Sequence, residues 1–399
     1  MRRTTKKSCI ESLRATTSVY YSPSQPNHQS LVLSQTDCII VGSGVAGLSS
    51  ALRLAKAGWR VTVLEREEVS REASWAGGGI LCPLYGWRYP EPVMRLAAAG
   101  MAQYRGFTEE LSAHGHTDPE LLTSGMLILD PGSSPAEQTD ASSWATRYGI
   151  RQQWQNASQH FPHLPQERAL WLPDIETVRN PRLMRALVES VRAFGVDIRV
   201  HTPVHGLILD GARVIGVRTE HDELFAEHVL ITAGAWTGQL VSDPLIPGLN
   251  PADIFPVRGQ MIRFDASMHT GLTTILMDEG VYLIPRKDGS VVVGSTVEHV
   301  GFDKHTTDEA MTRLHRKAVE LWPNLAHAPV AQQWSGLRPG TRDEIPYIGA
   351  HPDIAGLFVS TGFYRNGLAM APAAAELITD VMLGRPTQID LGDYRIDRR

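Results

Sequence analysis

Residues Asp37 to Val41 read as a short buried strand and run directly into Gly42-Ser43-Gly44-Val45-Ala46-Gly47, a GxGxxG turn. The helix that follows sets Leu48, Ala51, Leu52 and Ala55 on one face and stops at Gly58. A second strand, Arg60 to Leu64, then ends in Glu65. Each residue type answers a physical need. Gly42 permits the tight turn, Gly44 lets backbone approach a pyrophosphate, and Gly47 lets helix and strand pack closely. Val45 and Ala46 open the helix, whose amino end faces the phosphates. Glu65, followed by Arg66, is placed to accept hydrogen bonds from both ribose hydroxyls of an adenosine and to repel a 2′-phosphate. The pattern predicts a Rossmann-like dinucleotide site; a nucleotide-free doubly wound sheet is the alternative.

The 399 residues, 42% hydrophobic and 20% charged, are enough for two interleaved domains with a sizeable core. A formal net charge of −5 gives no electrostatic reason to expect nucleic acid or an anionic membrane as partner. No apolar run approaches the roughly 20 residues needed to span a bilayer. Three cysteines, Cys9, Cys38 and Cys82, are too few for a disulfide framework and suit a reducing, cytoplasmic setting. Residues 1–36 carry Arg2, Arg3, Lys6, Lys7 and Arg14 against Glu11 alone. That leader reads as disordered or misassigned, with an organellar transit segment as the alternative. No metal is expected, because the 15 histidines include no HExxH and no zinc spacing. A Gly-x-Ser-x-Gly elbow is also missing, which speaks against a hydrolase.

Later motifs carry further chemistry. Ala73-Ser74-Trp75-Ala76-Gly77-Gly78-Gly79-Ile80 lets backbone amides come close to a flat or charged group, or is simply a flexible loop. Phe225 to Thr232 alternates toward a strand, and Ala233-Gly234-Ala235 supplies small residues after it. Tyr282 lies in a strand-like run, Val281 to Pro285, followed by a Lys287-Asp288-Gly289 turn and a Val291-Val292-Val293 return strand. It reads as a pocket wall or as an ordinary half-buried tyrosine. Arg338, flanked by Gly336, Pro339 and Gly340, offers a planar fork suited to a carboxylate, though an arbitrary arginine is more often a solvated charge. Gly362-Phe363-Tyr364-Arg365-Asn366-Gly367 opens a last apolar helix through Leu368 and Ala369 to Leu383, closed by Gly384. Its amino end would stabilise negative charge, or the helix only packs.

Together these motifs resemble the D-amino-acid oxidase-like flavoenzymes, and among them the glycine oxidases that serve thiamine biosynthesis. The resemblance covers residues 37 to 386 and rests on the stretches quoted above. It also rests on Pro83-Leu84-Tyr85-Gly86-Trp87-Arg88-Tyr89, Thr202-Pro203-Val204, Pro256-Val257-Arg258-Gly259-Gln260, and Tyr282-Leu283-Ile284-Pro285-Arg286. The resemblance implies an α/β fold: a Rossmann-like FAD-binding domain from 37–90, 174–245 and 335–390, interleaved with an α+β substrate domain from 91–173 and 246–334 on a mainly antiparallel sheet. It implies that Val204 meets the adenine side, that Ala73, Ser74, Gly78, Gly79 and Ile80 line the flavin, and that the Phe363–Ala369 segment lies at its pyrimidine. Arg338 and Tyr282 would share the substrate carboxylate, with Arg365 beside them. The C-terminal half holds no cysteine, so the FAD should be non-covalent. The implied reaction is oxidation of a small amino acid, glycine first, to an imine with O2 reduced to hydrogen peroxide; sarcosine, D-alanine and D-proline stay open. A binding module without catalysis is the alternative from another class. The resemblance also implies a homotetramer.

Overall fold

The computed structural model describes residues 36–129, 131–132, 134–164, 167–242, 250–265 and 271–398. The N-terminal leader, with Cys9, lies outside the described residues up to position 35. Two large sheets organise the rest.

The first sheet has a parallel centre in the order Leu357–Thr361, Glu223–Ile231, Thr36–Val41, Val61–Leu64, Asp197–Arg199. Strand Tyr347–Ala350 adds an antiparallel edge, and Val204–Asp210 and Arg213–Thr219 extend Glu223–Ile231 as an antiparallel meander. Parallel strands buried on both faces read as continuous apolar runs, and Cys38, Ile39, Ile40, Val61 and Val63 are all nearly or fully buried. Register pairs Val41 with both Leu64 and Ile231, so the carboxyl ends of these strands finish level. Open parallel sheets bind ligands at that edge.

Helix Val45–Lys56 covers this sheet. Leu48, Ala51 and Leu52 are buried, each leucine contributing about 1.5–3 kcal/mol by leaving water. Arg53 and Lys56 in the last turn suit the negative end of the helix, and Gly58 ends it at φ +92°. Helices Glu91–His114, Asn180–Ala193 and Gly367–Met382 complete one apolar core with it. Element ends differ from the sequence reading by a residue or two: Thr36 joins the first strand, and Glu223 and Leu224 extend the strand predicted from Phe225.

The second sheet runs Val330–Thr341, Ile254–Phe264, Val291–Gly294, Val281–Pro285, Ile275–Asp278, Met126–Ile128, Arg168–Leu172, Gln153–Asn156. All pairs are antiparallel except Ile275–Asp278 with Met126–Ile128. Alternation sorts its two faces. Leu283, Val291, Val293 and Ile262 pack against helix Asp308–Leu321, whereas Tyr282, Ile284, Val292 and Met261 face the opposite way. That second face closes onto the glycine-rich segment after Glu65. The sequence-based boundary at 335 falls inside Val330–Thr341, a strand paired with Ile254–Phe264 over its whole length.

Candidate active site

A cavity of about 560 Å³ runs from the carboxyl edge of the parallel sheet to the inner face of the second sheet, a size suited to a large ligand. Of the residues singled out from sequence, Gly42, Gly44, Val45, Ala46, Glu65, Arg66, Ala73, Ser74, Gly78, Gly79, Ile80 and Val204 line it. Tyr282, Arg338, Phe363, Tyr364, Arg365, Asn366, Gly367 and Leu368 line it as well. Gly47 and Ala369 do not. A Cβ on Gly47 would sit 2.1 Å from the Gly42 carbonyl oxygen, so the absence of a side chain here lets the first turn of the helix lie against the glycine-rich turn. Ala369 is buried inside the last helix, where its carbonyl lies against Gly100.

At the nucleotide end, Gly42 takes φ +109°, and a Cβ there would strike the Thr232 carbonyl at 2.6 Å. The first amide of helix Val45–Lys56 donates to Ser74 Oγ at 2.9 Å, which fixes the start of the following segment beside the glycine-rich turn. The sequence pattern predicts that Glu65 serves both ribose hydroxyls. Its Oε2 already accepts from Ser43 N–H at 3.0 Å and Ser43 Oγ at 2.6 Å, and its Oε1 accepts from Glu67 N–H at 3.1 Å. A carboxylate has about four acceptor positions. One therefore remains on Oε1 until Ser43 turns its hydroxyl away. Arg66 lies 3.9 Å over the Trp236 ring, beside Glu67 and Glu72.

The glycine run sits between the sheets. Gly79 is at φ +78°, and a Cβ there would lie 2.0 Å from the Val178 carbonyl oxygen. A Cβ on Gly78 would meet Ile284 Cδ1 at 2.8 Å and Tyr282 Cε2 at 3.0 Å, so only glycine lets this backbone lie on the second sheet. Trp334 Nε1 donates to the Ala76 carbonyl at 2.8 Å and ties the edge strand to the same segment.

At the far end, Tyr282 is buried and shares the cavity with Arg338. Arg338 Nη2 donates to Ser295 Oγ at 2.6 Å and Nη1 to the Thr296 carbonyl at 3.2 Å, which engages two of the five N–H donors of a guanidinium. Gly259, opposite on the neighbouring strand, makes room: a Cβ there would lie 2.2 Å from Arg338 Nη2. Burial pulls the Arg338 pKa below the ordinary arginine value; Tyr282 works against that shift, and the like charge of Arg365 adds to it. Arg338 and Arg365, both on the wall of this end of the cavity, favour a carboxylate there. Arg365 follows Tyr364, which takes φ +48° and donates its N–H to the Pro339 carbonyl at 2.8 Å, so the turn before the last helix is strapped to the Arg338 strand. Burial raises the pKa of Tyr89, which bonds Asn366 in that same turn.

Sequence reasoning passed over several residues here. Asn180, nearly fully buried, donates Nδ2 to the Ser74 carbonyl at 2.7 Å, and its Oδ1 has no partner among the described residues. Ser360 Oγ is likewise buried, unpartnered among them, and on the cavity wall. Arg286 donates to the carbonyls of Gly78 and Val178, and its burial, with Arg179 nearby, pushes its pKa down to about 10. Asn180 had no local signal at all; Arg286 stood in a recognised motif without an assigned role. Cys82 also reaches the cavity wall, its thiol pushed up to about 12 by burial.

The profile of a family described as FAD dependent oxidoreductases, abbreviated DAO, matches residues 37–381. The chain belongs to that family. Among curated relatives of this oxidoreductase are a glycine oxidase of Pseudomonas aeruginosa, 42% identical over 89% of this chain and 97% of its own, and a "Bifunctional protein ThiO/ThiG" of Trichormus variabilis, 30% identical over 91% of this chain and 55% of its own. Among solved structures, the glycine oxidase of Geobacillus kaustophilus superposes with a TM-score of 0.84 at 28% identity, covering 91% of this chain and 99% of the other.

The cavity fits the family's FAD. Glycines at Gly42, Gly78 and Gly79 leave no room for a Cβ where backbone must come close, and Asn180 Oδ1 and Ser360 Oγ present unused polar capacity to the cleft. Among the described residues, no His, Cys, Asp and Glu side chains gather into a group able to hold a metal ion, and no helix is long and apolar enough to cross a membrane.

Proposed function

We propose that this FAD-dependent oxidoreductase oxidises the carbon–nitrogen bond of a small amino acid, glycine foremost. The carrying observation is Arg338, a half-buried cation braced by Ser295 and Thr296 that lines the cofactor cavity together with Tyr282. In this reading the cofactor occupies the cleft non-covalently, with Gly42 to Ala46, Glu65 and Val204 toward adenosine. Ala73, Ser74, Gly78 to Ile80 and Phe363 to Leu368 lie toward the flavin. The proposed domains are those implied by the resemblance.

Arg338 takes the substrate carboxylate through two parallel hydrogen bonds, and Tyr282 Oη supports it. Anchoring the carboxylate leaves the α-carbon little freedom and so lowers the entropic part of the barrier. Met261, Leu84 and Ile80 on the cavity wall keep the reacting end dry. When bound, FAD supplies the two-electron acceptor for the amine and passes those electrons to O2, releasing hydrogen peroxide. Glycine thereby gives the imine, which water converts to glyoxylate and ammonia or which enters the thiazole of thiamine. The relatives named as glycine oxidases support glycine over larger substrates.

Purified protein should be yellow, release intact FAD on denaturation, lose its flavin absorbance anaerobically with glycine, and form one peroxide per imine in air. Higher kcat/KM with sarcosine, D-alanine or D-proline than with glycine would reassign the substrate; no bleaching with any of them would favour the binding module. Sedimentation tests the homotetramer carried by the resemblance.

A further inference from the structure

Arg286 is the one residue of the Tyr282–Arg286 motif with a buried charge and no part in holding substrate. Period-two alternation puts Tyr282, Ile284 and Arg286 on one face of the strand and its extension. The turn after it is tied by Gly289 N–H to the Arg286 carbonyl at 2.9 Å, by Arg286 N–H to the Ser290 carbonyl at 2.9 Å, and by Asp288 accepting from Ser290. That fixes where the guanidinium goes. Nη2 donates to the Gly78 carbonyl at 2.7 Å and Nη1 to the Val178 carbonyl at 2.9 Å, joining two backbone segments far apart in sequence.

Charge compensation is the unusual part. Buried cations are ordinarily paired. Arg286 is 9% exposed, yet among the described residues no carboxylate forms an ion pair with it. The acidic groups nearest to it are engaged elsewhere: Asp288 with Arg179 at 2.9 Å, and Glu120 with Arg182 at 3.1 Å and Arg179 at 3.5 Å. Its positive charge is therefore spent on two carbonyl dipoles, one of them on the wall of the cofactor cleft.

We infer that Arg286 is a positioning residue for the cofactor: its fork holds the Gly78–Gly79 backbone against Tyr282, and its unpaired charge makes the flavin end of the cleft more positive. Such a residue tightens FAD binding through the fork and raises the flavin midpoint potential through the charge, since reduction adds negative charge to the ring system. The inference rests on FAD lying in this cleft and is independent of which amine is oxidised.

The test uses R286M and R286K, each prepared as holoenzyme and as apoprotein with its fold checked by circular dichroism, and involves no amine substrate. R286M is expected to bind FAD roughly tenfold or more weakly, the scale of a lost hydrogen bond from a charged group, and to show a more negative midpoint potential. R286K should bind FAD weakly as well but keep its potential near the wild-type value. An unchanged potential in R286M overturns the electrostatic role, and unchanged FAD affinity in both variants overturns the clamp. Failure of both variants to fold would make Arg286 a residue of fold stability and likewise overturn the proposal.

Discussion

At the nucleotide end of the cleft, Gly42, Gly44, Glu65 and Ser74 come from one unbroken stretch that begins at Thr36. At the amine end, Tyr282, Ser295, Arg338 and Arg365 come from separate segments, brought together by a sheet whose strands are out of chain order. The first site is a property of a βαβ unit and could be placed on many sheets. The second exists only where Gly78 lies on Tyr282 and Ile284, where Gly259 leaves room for Arg338, and where Trp334 reaches Ala76. Substitutions at the nucleotide end should therefore act on cofactor binding alone, whereas those at the amine end should act on turnover or, through packing, on the whole fold.

The largest expected effect separates the two ends. R338A should lower kcat/KM for glycine by roughly a hundredfold to several thousandfold while FAD stays bound, because it removes the charged partner of the carboxylate inside the cavity. Steady-state kinetics with a flavin titration check it; FAD lost in parallel with activity would mean that the ends are not independent. R338K should recover part of the loss, since an ammonium keeps charge without the fork.

Next comes the seam. G79A forces a side chain into φ +78° and against the Val178 carbonyl, which should cost about 2–5 kcal/mol from strain and overpacking together. Chemical denaturation of the apoprotein measures it, and a wild-type midpoint would show that this contact is soft. E65A should weaken FAD by roughly tenfold or more, since it frees Ser43 as well as a ribose hydroxyl, with kcat at saturating FAD within about twofold of wild type. Equilibrium dialysis and kinetics at high FAD separate the two quantities. Y282F should raise the KM for glycine by about two- to tenfold, the range of one neutral hydrogen bond, and leave FAD binding unaltered.

The smallest effect lies outside both ends of the cleft. Asp37 accepts from the Arg60 amide at 2.7 Å, and the Arg60 guanidinium is the main cause holding its carboxyl below the usual aspartate value. A depressed folded-state pKa adds stability above the unfolded value near 3.8, and that stability is lost as pH falls through the folded value. D37N should thus cost no more than about 1 kcal/mol near neutrality, because the pair is partly exposed, and progressively less as pH falls from 3.8 through the folded value. Urea midpoints at pH 7 and pH 3 compare the two states.

Sequence legibility followed the same division. The GxGxxG turn, the helix to Lys56, the Val281–Pro285 strand and the last helix were readable because their signals are local: glycine conformations, apolar period and caps. Arg338 and Tyr282 were nameable only through the family resemblance, since neither has a neighbour in sequence that reveals its place on the cavity wall. Asn180 was invisible, because a buried amide with an open Oδ1 looks in sequence like any helix-start asparagine. Arg286 stood in plain view in a motif, but nothing local says that a cation will be buried without an acid beside it.

By itself, then, the sequence determined that this chain carries a dinucleotide turn ending in an acidic residue, parallel and antiparallel strand types, and a family of flavin-dependent oxidoreductases. Tertiary structure alone decided that Glu65 has most of its acceptor capacity already taken, that Arg338 is braced by Ser295 and Thr296, and that Arg286 spends its charge on Gly78 and Val178. The reason is range. Turns, helices and strands are fixed by neighbours along the chain, whereas the environment of a buried charge is fixed by whichever distant backbone the sheet order brings against it.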